Sequence, residues 1–471
     1  MLFNSIPFLI FFPIVTLIFY VLPHKYRWVH LLAASCFFYM FFVPQYILIL
    51  LITILIDYTA GIYIEKTTGK RRKYFLILSI VSTCLVLVIF KYLNFFTHNA
   101  IALSHFLGFN YSDRVFNIIL PIGLSFHTFQ SLSYVIEVYR GNQKAEKHFG
   151  VYSLYVMFYP QLVTGPIERP QNLLRQLKEE KTFQLDNVVR GLRLILFGLF
   201  IKMVIADNLA VYVDKIYENP TLYSSYSILT ALLFYSFQIY CDFFGYSTIA
   251  LGAALTMGYA ITDNFKTPYL SKNISEFWHR WHISLSTWFR DYVYFPLGGN
   301  RVKTPRWIVN IGIVFLLSGF WHGANWTFIF WGGAYAIIYL IEHVLQKKIP
   351  FPFSKNRFLS AVLNGFAIVK NFVLVTVIWV FFRSVNISQI KQIYTSVFHN
   401  FHIQDDFWVE NKIWLFLALF VLIDIILRKS RFDVWCGNRS VFVRWVIYAV
   451  MLFLIIAFSS VESFPFIYFQ F

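Results

Sequence analysis

Residues 45–64 read QYILILLITILIDYTAGIYI and residues 74–96 read YFLILSIVSTCLVLVIFKYLNFF. A bilayer's hydrocarbon core is about 30 Å thick and takes roughly 20 apolar helical residues to cross, so each run is long enough to span it. Between them stands Lys70-Arg71-Arg72-Lys73, a short basic loop of the kind retained on the cytoplasmic side. The pattern repeats outward in both directions. Further apolar runs occupy 5–22, 116–136, 226–257, 324–345, 360–382, 413–428 and 440–458. Shorter ones at 28–42, 150–165, 190–205 and 307–320 read as tilted, paired or re-entrant pieces. Pro44, Pro121, Pro160 and Pro166 interrupt the series. Irregular backbone at membrane depth is tolerated only inside protein or along a cavity, so the pattern implies a helical body with a hollow.

Composition points the same way: 58% of residues are hydrophobic and 13% charged. A formal charge of +17 would suit nucleic acid only if it formed a basic face on a soluble module. Here it is parcelled into short loops: Arg301, Lys303 and Arg306; Lys347, Lys348, Lys355 and Arg357; Arg428, Lys429 and Arg431. No nucleic-acid partner is therefore expected. With these loops cytoplasmic, segment 383–412, with Asp405, Asp406 and Glu410, falls outside, as does the C-terminus. Cys36, Cys84, Cys241 and Cys436 are scattered without a CxxC pair and read as small hydrophobes. Residues 5–22 read as a retained first span, with neither the charged flank nor the cleavage site of a signal peptide.

Two blocks carry the chemistry. In Gly319-Phe320-Trp321-His322-Gly323-Ala324-Asn325-Trp326 a histidine lies between long apolar stretches. An ionisable side chain there marks a functional site unless it is merely a core histidine bonded between helices. Gly319 and Gly323 allow another backbone or a ligand to approach closely, and Trp321 and Trp326 offer flat walls. Imidazole is the usual general base for a hydroxyl. Residues 307–320 make about 21 Å of helix, short of the hydrocarbon thickness, which sets His322 inside the membrane.

The second block, 274–294, holds Phe277-Trp278-His279-Arg280-Trp281-His282. As one helix starting near Ser275 it pairs Glu276 with Arg280 at i,i+4. It is too polar to span lipid alone, so an interfacial or cavity-lining place is expected. His279 and His282 at i,i+3 lack a fitting third ligand, so no metal site is assigned. Asp242 is a buried acid expected to partner one of these His or Arg residues, and Lys202 and Asp207 are expected at a membrane interface. GxSxG, Walker A and GxGxxG motifs are absent, which disfavours a serine hydrolase or a nucleotide-driven pump.

These blocks, in order with Phe90-Lys91-Tyr92-Leu93-Asn94-Phe95-Phe96, Leu120 to Phe126, Thr128-Phe129-Gln130-Ser131, Tyr159-Pro160-Gln161-Leu162, Gly165-Pro166-Ile167, Ile205-Ala206-Asp207-Asn208 and Pro296-Leu297-Gly298-Gly299-Asn300-Arg301, resemble the membrane-bound O-acyltransferase family in its bacterial alginate O-acetylase-like and peptidoglycan O-acetyltransferase-like branch. The resemblance runs to about residue 345 and is loose beyond. It implies an all-α polytopic integral membrane protein of roughly 10–13 membrane helices, some short, tilted or re-entrant, around a central tunnel. Residues 1–345 would form the catalytic core, and 346–471 would continue the same domain. It further implies His322 and His282 as the catalytic histidines, with Trp278, Arg280, Trp281, Asp242, Gln130, Trp321 and Asn325 lining the tunnel or binding substrate. No cofactor is expected to be bound. The donor would be acetyl-CoA or another acetyl thioester, and the acceptor an exported polysaccharide. That acceptor is reached directly or through a periplasmic or membrane-anchored SGNH-type acetyltransferase partner, at the inner membrane. His127 departs from the family's usual Tyr and adds a titratable group. The competing reading is a transporter or flippase with His322 as proton relay.

Overall fold

The computed structural model describes residues 1–41, 43–109, 121, 123–162, 165–348, 356–402, 404, 408–459 and 466–467. Among these every regular element is helical, with no strand, and seven helices are long and apolar enough to cross a membrane. The chain divides into two compact units, one of residues 1–195 and 249–262, the other of 196–248 and 263–471.

The first unit contains α1 (Ile6–Val21), α2 (His24–Met40), α3 (Tyr46–Lys66), α4 (Gly69–Phe106), α5 (Leu124–Arg140), α6 (Phe149–Met157) and α7 (Pro170–Lys178). Its helices are joined by buried polar contacts as well as apolar packing. Asp57 of α3 accepts hydrogen bonds from Ser79 (2.5 Å) and Thr83 (2.9 Å) of α4. A Cβ on Gly61 would lie 2.6 Å from the Tyr134 ring, so only glycine lets α5 pack this closely on α3. Outside the helices, buried Glu168 accepts from the Thr262 amide (2.5 Å) and from Asn172 (2.7 Å), tying two loops together.

Two long helices, α8 (Leu185–Glu218) and α9 (Ser225–Thr256), run through both units. The second unit adds α10 (Ile274–Arg280), α11 (Ile283–Phe289), α12 (Thr304–His322), α13 (Trp326–Lys348), α14 (Arg357–Arg383), α15 (Ile387–His399), α16 (Asn411–Ile426), α17 (Phe432–Gly437) and α18 (Val441–Phe458). On α18, Phe442, Trp445 and Phe453 are 78%, 68% and 64% exposed. Large apolar residues left open in this number are solvated by lipid tails, not by water.

Several boundaries differ from the sequence reading. The run 190–205 is not a short piece but the middle of the 34-residue α8, extended by polar residues whose helical continuation hydropathy does not register. Likewise 74–96 is the centre of the 38-residue α4. The stretch 307–320 lies within the 19-residue α12, about 28 Å long at 1.5 Å per residue, so helix length alone does not set the depth of His322. The segment 274–294 is broken at residues 281–282 instead of forming one helix. Residues 116–120 and 122 of the run 116–136, together with Lys355, Asp405 and Asp406, lie outside the described residues. So do the side chains of Lys347, Lys348 and Arg357.

Candidate active site

Helix α10 begins at Ile274, capped by Asn273, and not at Ser275. The Asn273 side chain accepts from the Glu276 amide at 2.8 Å and caps the free N–H groups of the first turn. Glu276 and Arg280 pair as expected, at 2.6 Å. The helix then stops because Trp281 turns extended and His282 adopts φ 44°, ψ 54°, the left-handed region. That conformation costs a residue bearing Cβ about 1–2 kcal/mol, so neighbours must hold it. Asn264 does so on the far side of the break. Its carbonyl accepts from the Ile283 amide (3.0 Å), and its side-chain oxygen accepts from the Ser284 amide (3.2 Å) and hydroxyl (2.7 Å). Its own amide group donates to Ser247 on α9 (3.2 Å).

The Trp281 ring anchors the break from the other side, 5.1 Å from both Phe265 and Trp379. His282 is thereby fully buried, edge-on to Phe243 at 4.6 Å. Burial pushes its imidazole down to about 3. Burial disfavours its charged form, so the ring is neutral near neutral pH. The i,i+3 register with His279 is lost at the break: His279 is exposed, its Nδ1 against the Ser275 carbonyl at 2.6 Å.

His322 is the last residue of α12. Helices α12 and α13 form a tight hairpin at glycines. A Cβ on Gly319 would lie 2.2 Å from the Phe328 carbonyl oxygen, and one on Gly332 would lie 2.3 Å from that of Phe315. The hairpin presses His322 into an aromatic box. Its ring centroid is 4.9 Å from Trp321, 5.0 Å from Trp331 and 5.1 Å from Phe382, and the residue is 5% exposed. Trp321 also lies 6.3 Å from His282, so one indole borders both histidines.

The other expected site residues divide. Trp278 joins the box through Trp331 (5.7 Å) and Trp321 is one of its walls, whereas Trp281 is buried outside it, against Trp379 (5.1 Å). Arg280 is committed to Glu276 and to the Thr267 hydroxyl (3.2 Å). Asn325 donates to the Val385 carbonyl (2.8 Å) and accepts from the Thr327 amide (3.1 Å), fastening the hairpin turn. Trp326 is 45% exposed and is not a wall; its place is taken by Trp331 and Phe382. Gln130 and His127 belong to the first unit. There Gln130 donates to the Tyr155 carbonyl (2.5 Å), and the His127 ring lies 6.2 Å from Tyr39.

Two expectations are corrected outright. Asp242 partners no histidine or arginine among the described residues. It pairs with Lys202 at 2.5 Å and accepts from the Ile467 amide at 2.7 Å. Lys202 and Asp207 do not snorkel at an interface: both are buried and paired with each other at 2.7 Å. A lysine inside an apolar run resembles an interfacial one in sequence, and only the distant Asp242 distinguishes them. Asn264, Phe243, Trp331 and Phe382, which shape the site, had no local signal.

Comparison with known proteins matches this architecture. The model of the MBOAT, membrane-bound O-acyltransferase family, matches residues 148–385. A probable alginate O-acetylase AlgI of Pseudomonas aeruginosa is 36% identical over 403 residues, 84% of this chain and 75% of the relative. A peptidoglycan O-acetyltransferase of Helicobacter pylori is 35% identical over 387 residues, 76% and 71% respectively. A teichoic acid D-alanyltransferase of Bacillus subtilis is 31% identical over 243 residues, 49% and 61%. With the family model spanning half the chain and relatives aligned over most of it, this multi-pass membrane protein belongs to the membrane-bound O-acyltransferase family and is an acyltransferase.

Proposed function

We propose that the protein O-acetylates an exported polysaccharide at the inner membrane, taking the acetyl group from a cytoplasmic thioester such as acetyl-CoA. The observation that carries this reading is His322 held among Trp321, Trp331 and Phe382, with His282 on the other side of Trp321. In such a water-poor setting His322 takes the proton of an acceptor hydroxyl as its oxygen attacks the thioester carbonyl. The carbon–sulfur bond breaks as the carbon–oxygen bond forms, and the imidazolium returns the proton to the leaving thiolate. His282, neutral and fixed by the break between α10 and α11, orients the reacting groups. The indoles exclude water that would hydrolyse the thioester.

The basic loops around Arg301 and Arg428 face the cytoplasm in this account, and residues 1–345 with the helices after them act as one catalytic membrane domain. An SGNH-type partner, periplasmic or membrane-anchored, receives the group or carries it to the polymer. Acetyl is favoured over D-alanyl because the O-acetylase relatives align over 76–84% of the chain and the D-alanyltransferase over 49%. Membership of an acyltransferase family also replaces the transporter reading. Mass spectrometry of surface glycans from deletion and complemented strains tests the proposal. Base-labile acetyl esters should vanish on deletion and return on complementation, whereas unchanged esters would reject it.

A further inference from the structure

Next to His322 and extending away from it through Trp331, three buried polar groups have no partner among the described residues. Trp331 and Tyr335, one turn apart on α13, are fully buried, and Trp278 of α10 packs against both. The three rings form a triangle with sides of 5.0, 5.1 and 5.7 Å, and the Trp331 corner touches His322 at 5.0 Å. Neither indole N–H nor the Tyr335 hydroxyl has a hydrogen-bond partner among the described residues, not even one another. Buried polar groups are nearly always satisfied, and each exception needs a reason. Three exceptions in mutual contact, one of them against the histidine read as the base, share one reason.

The ligand class follows from the groups. An indole N–H is a donor only, so whatever satisfies the two tryptophans must present acceptor atoms. The surrounding rings of Trp379 and Phe382 carry no charge that would accompany a phosphate or carboxylate. A sugar, rich in hydroxyl donors, would find too few acceptors. Neutral carbonyl oxygens fit. We propose that Trp278, Trp331 and Tyr335 form a hydrogen-bonding subsite that holds carbonyl oxygens of the acyl donor, those of its thioester and adjacent amides, against His322. The assignment rests on the reading of His322 given above.

Tyr335→Phe tests it, because it deletes the hydroxyl and keeps the ring. An unpaired buried hydroxyl contributes nothing to the resting protein, so the purified full chain should melt at or above the wild-type temperature. Acetyl esters on the exported glycan should nevertheless fall about five- to tenfold, the loss of one neutral hydrogen bond to the reacting ligand, and acetyl-CoA at a fixed concentration should raise the melting temperature less than in wild type. Wild-type ester content at wild-type protein level overturns the subsite, as does a lowered melting temperature in the absence of donor. If Tyr335→Phe does not accumulate, Trp331→Phe is scored by ester content and by the acetyl-CoA shift alone, because the smaller ring leaves a cavity that lowers the melting temperature by itself. Failure of the functional reading is separable. If His322→Ala retains esters while Tyr335→Phe loses them, the base is wrong and the subsite stands. If wild-type and deletion strains carry equal esters, the acetyl-CoA shift alone decides. A shift equal in wild type and Tyr335→Phe, or missing from wild type, overturns the subsite.

Discussion

Lys202 is 1% exposed, with Asp207 at 2.7 Å and Asp242 at 2.5 Å. One cation is thus shared by two buried carboxylates, and a backbone amide from Ile467 supplies Asp242 with a further donor. Breaking such a group is more damaging than never having it, because the remaining charges stay desolvated. Lys202→Met should therefore destabilise the protein by about 3–5 kcal/mol. Lys202→Met combined with Asp207→Asn and Asp242→Asn should recover most of that, as read by thermal melting. Equal melting of Lys202→Met and wild type would show that the carboxylates need no counter-charge. At this scale the chemistry was partly legible. His322 and His282 stood out because aromatic, glycine-rich and ionisable residues crowd together inside apolar sequence, where each is costly. The partners of Asp242 did not, since ion pairing between residues forty positions apart leaves no periodic trace. The same holds for Asn264, whose backbone and side chain stabilise the left-handed His282 without any pattern linking the two.

The hairpin of α12 and α13 shows how small residues position a large site. Gly319 and Gly312 lie on the same helix, yet a Cβ on the first would meet the Phe328 carbonyl at 2.2 Å while one on the second would meet nothing within 4 Å. Gly319→Ala should force the helices apart, lose about 1–3 kcal/mol and disturb His322 three residues on. Gly312→Ala should gain about 0.5–1 kcal/mol from the lower entropy of its unfolded chain. Matching melting temperatures for the two variants would refute the close-packed hairpin. Most membrane helices were legible from hydropathy, because lipid demands long apolar runs. Their ends were less so: α4 and α8 continue through Lys70 to Lys73 and through Asp207 to Glu218, where helical hydrogen bonding persists but apolarity does not. The break between α10 and α11 was invisible, since neither proline nor glycine marks it and the left-handed turn falls on a histidine.

At the scale of the molecule, apolar periodicity identifies a polytopic helical protein, but not the way its chain is shared between units. Residues 249–262 return to the first unit after the chain has entered the second, a connection that hydropathy along a line does not encode. The second unit brings His282 and His322 to the two sides of one indole from positions forty residues apart. The functional account depends on that convergence and on the imidazole of α12 above all. The most direct measurement is the acetyl ester content of exported glycan in cells carrying His322→Ala, with the variant's abundance in the membrane fraction determined alongside. Esters at the level of the deletion strain with undiminished membrane abundance are predicted; wild-type esters in that variant would contradict His322 as the base.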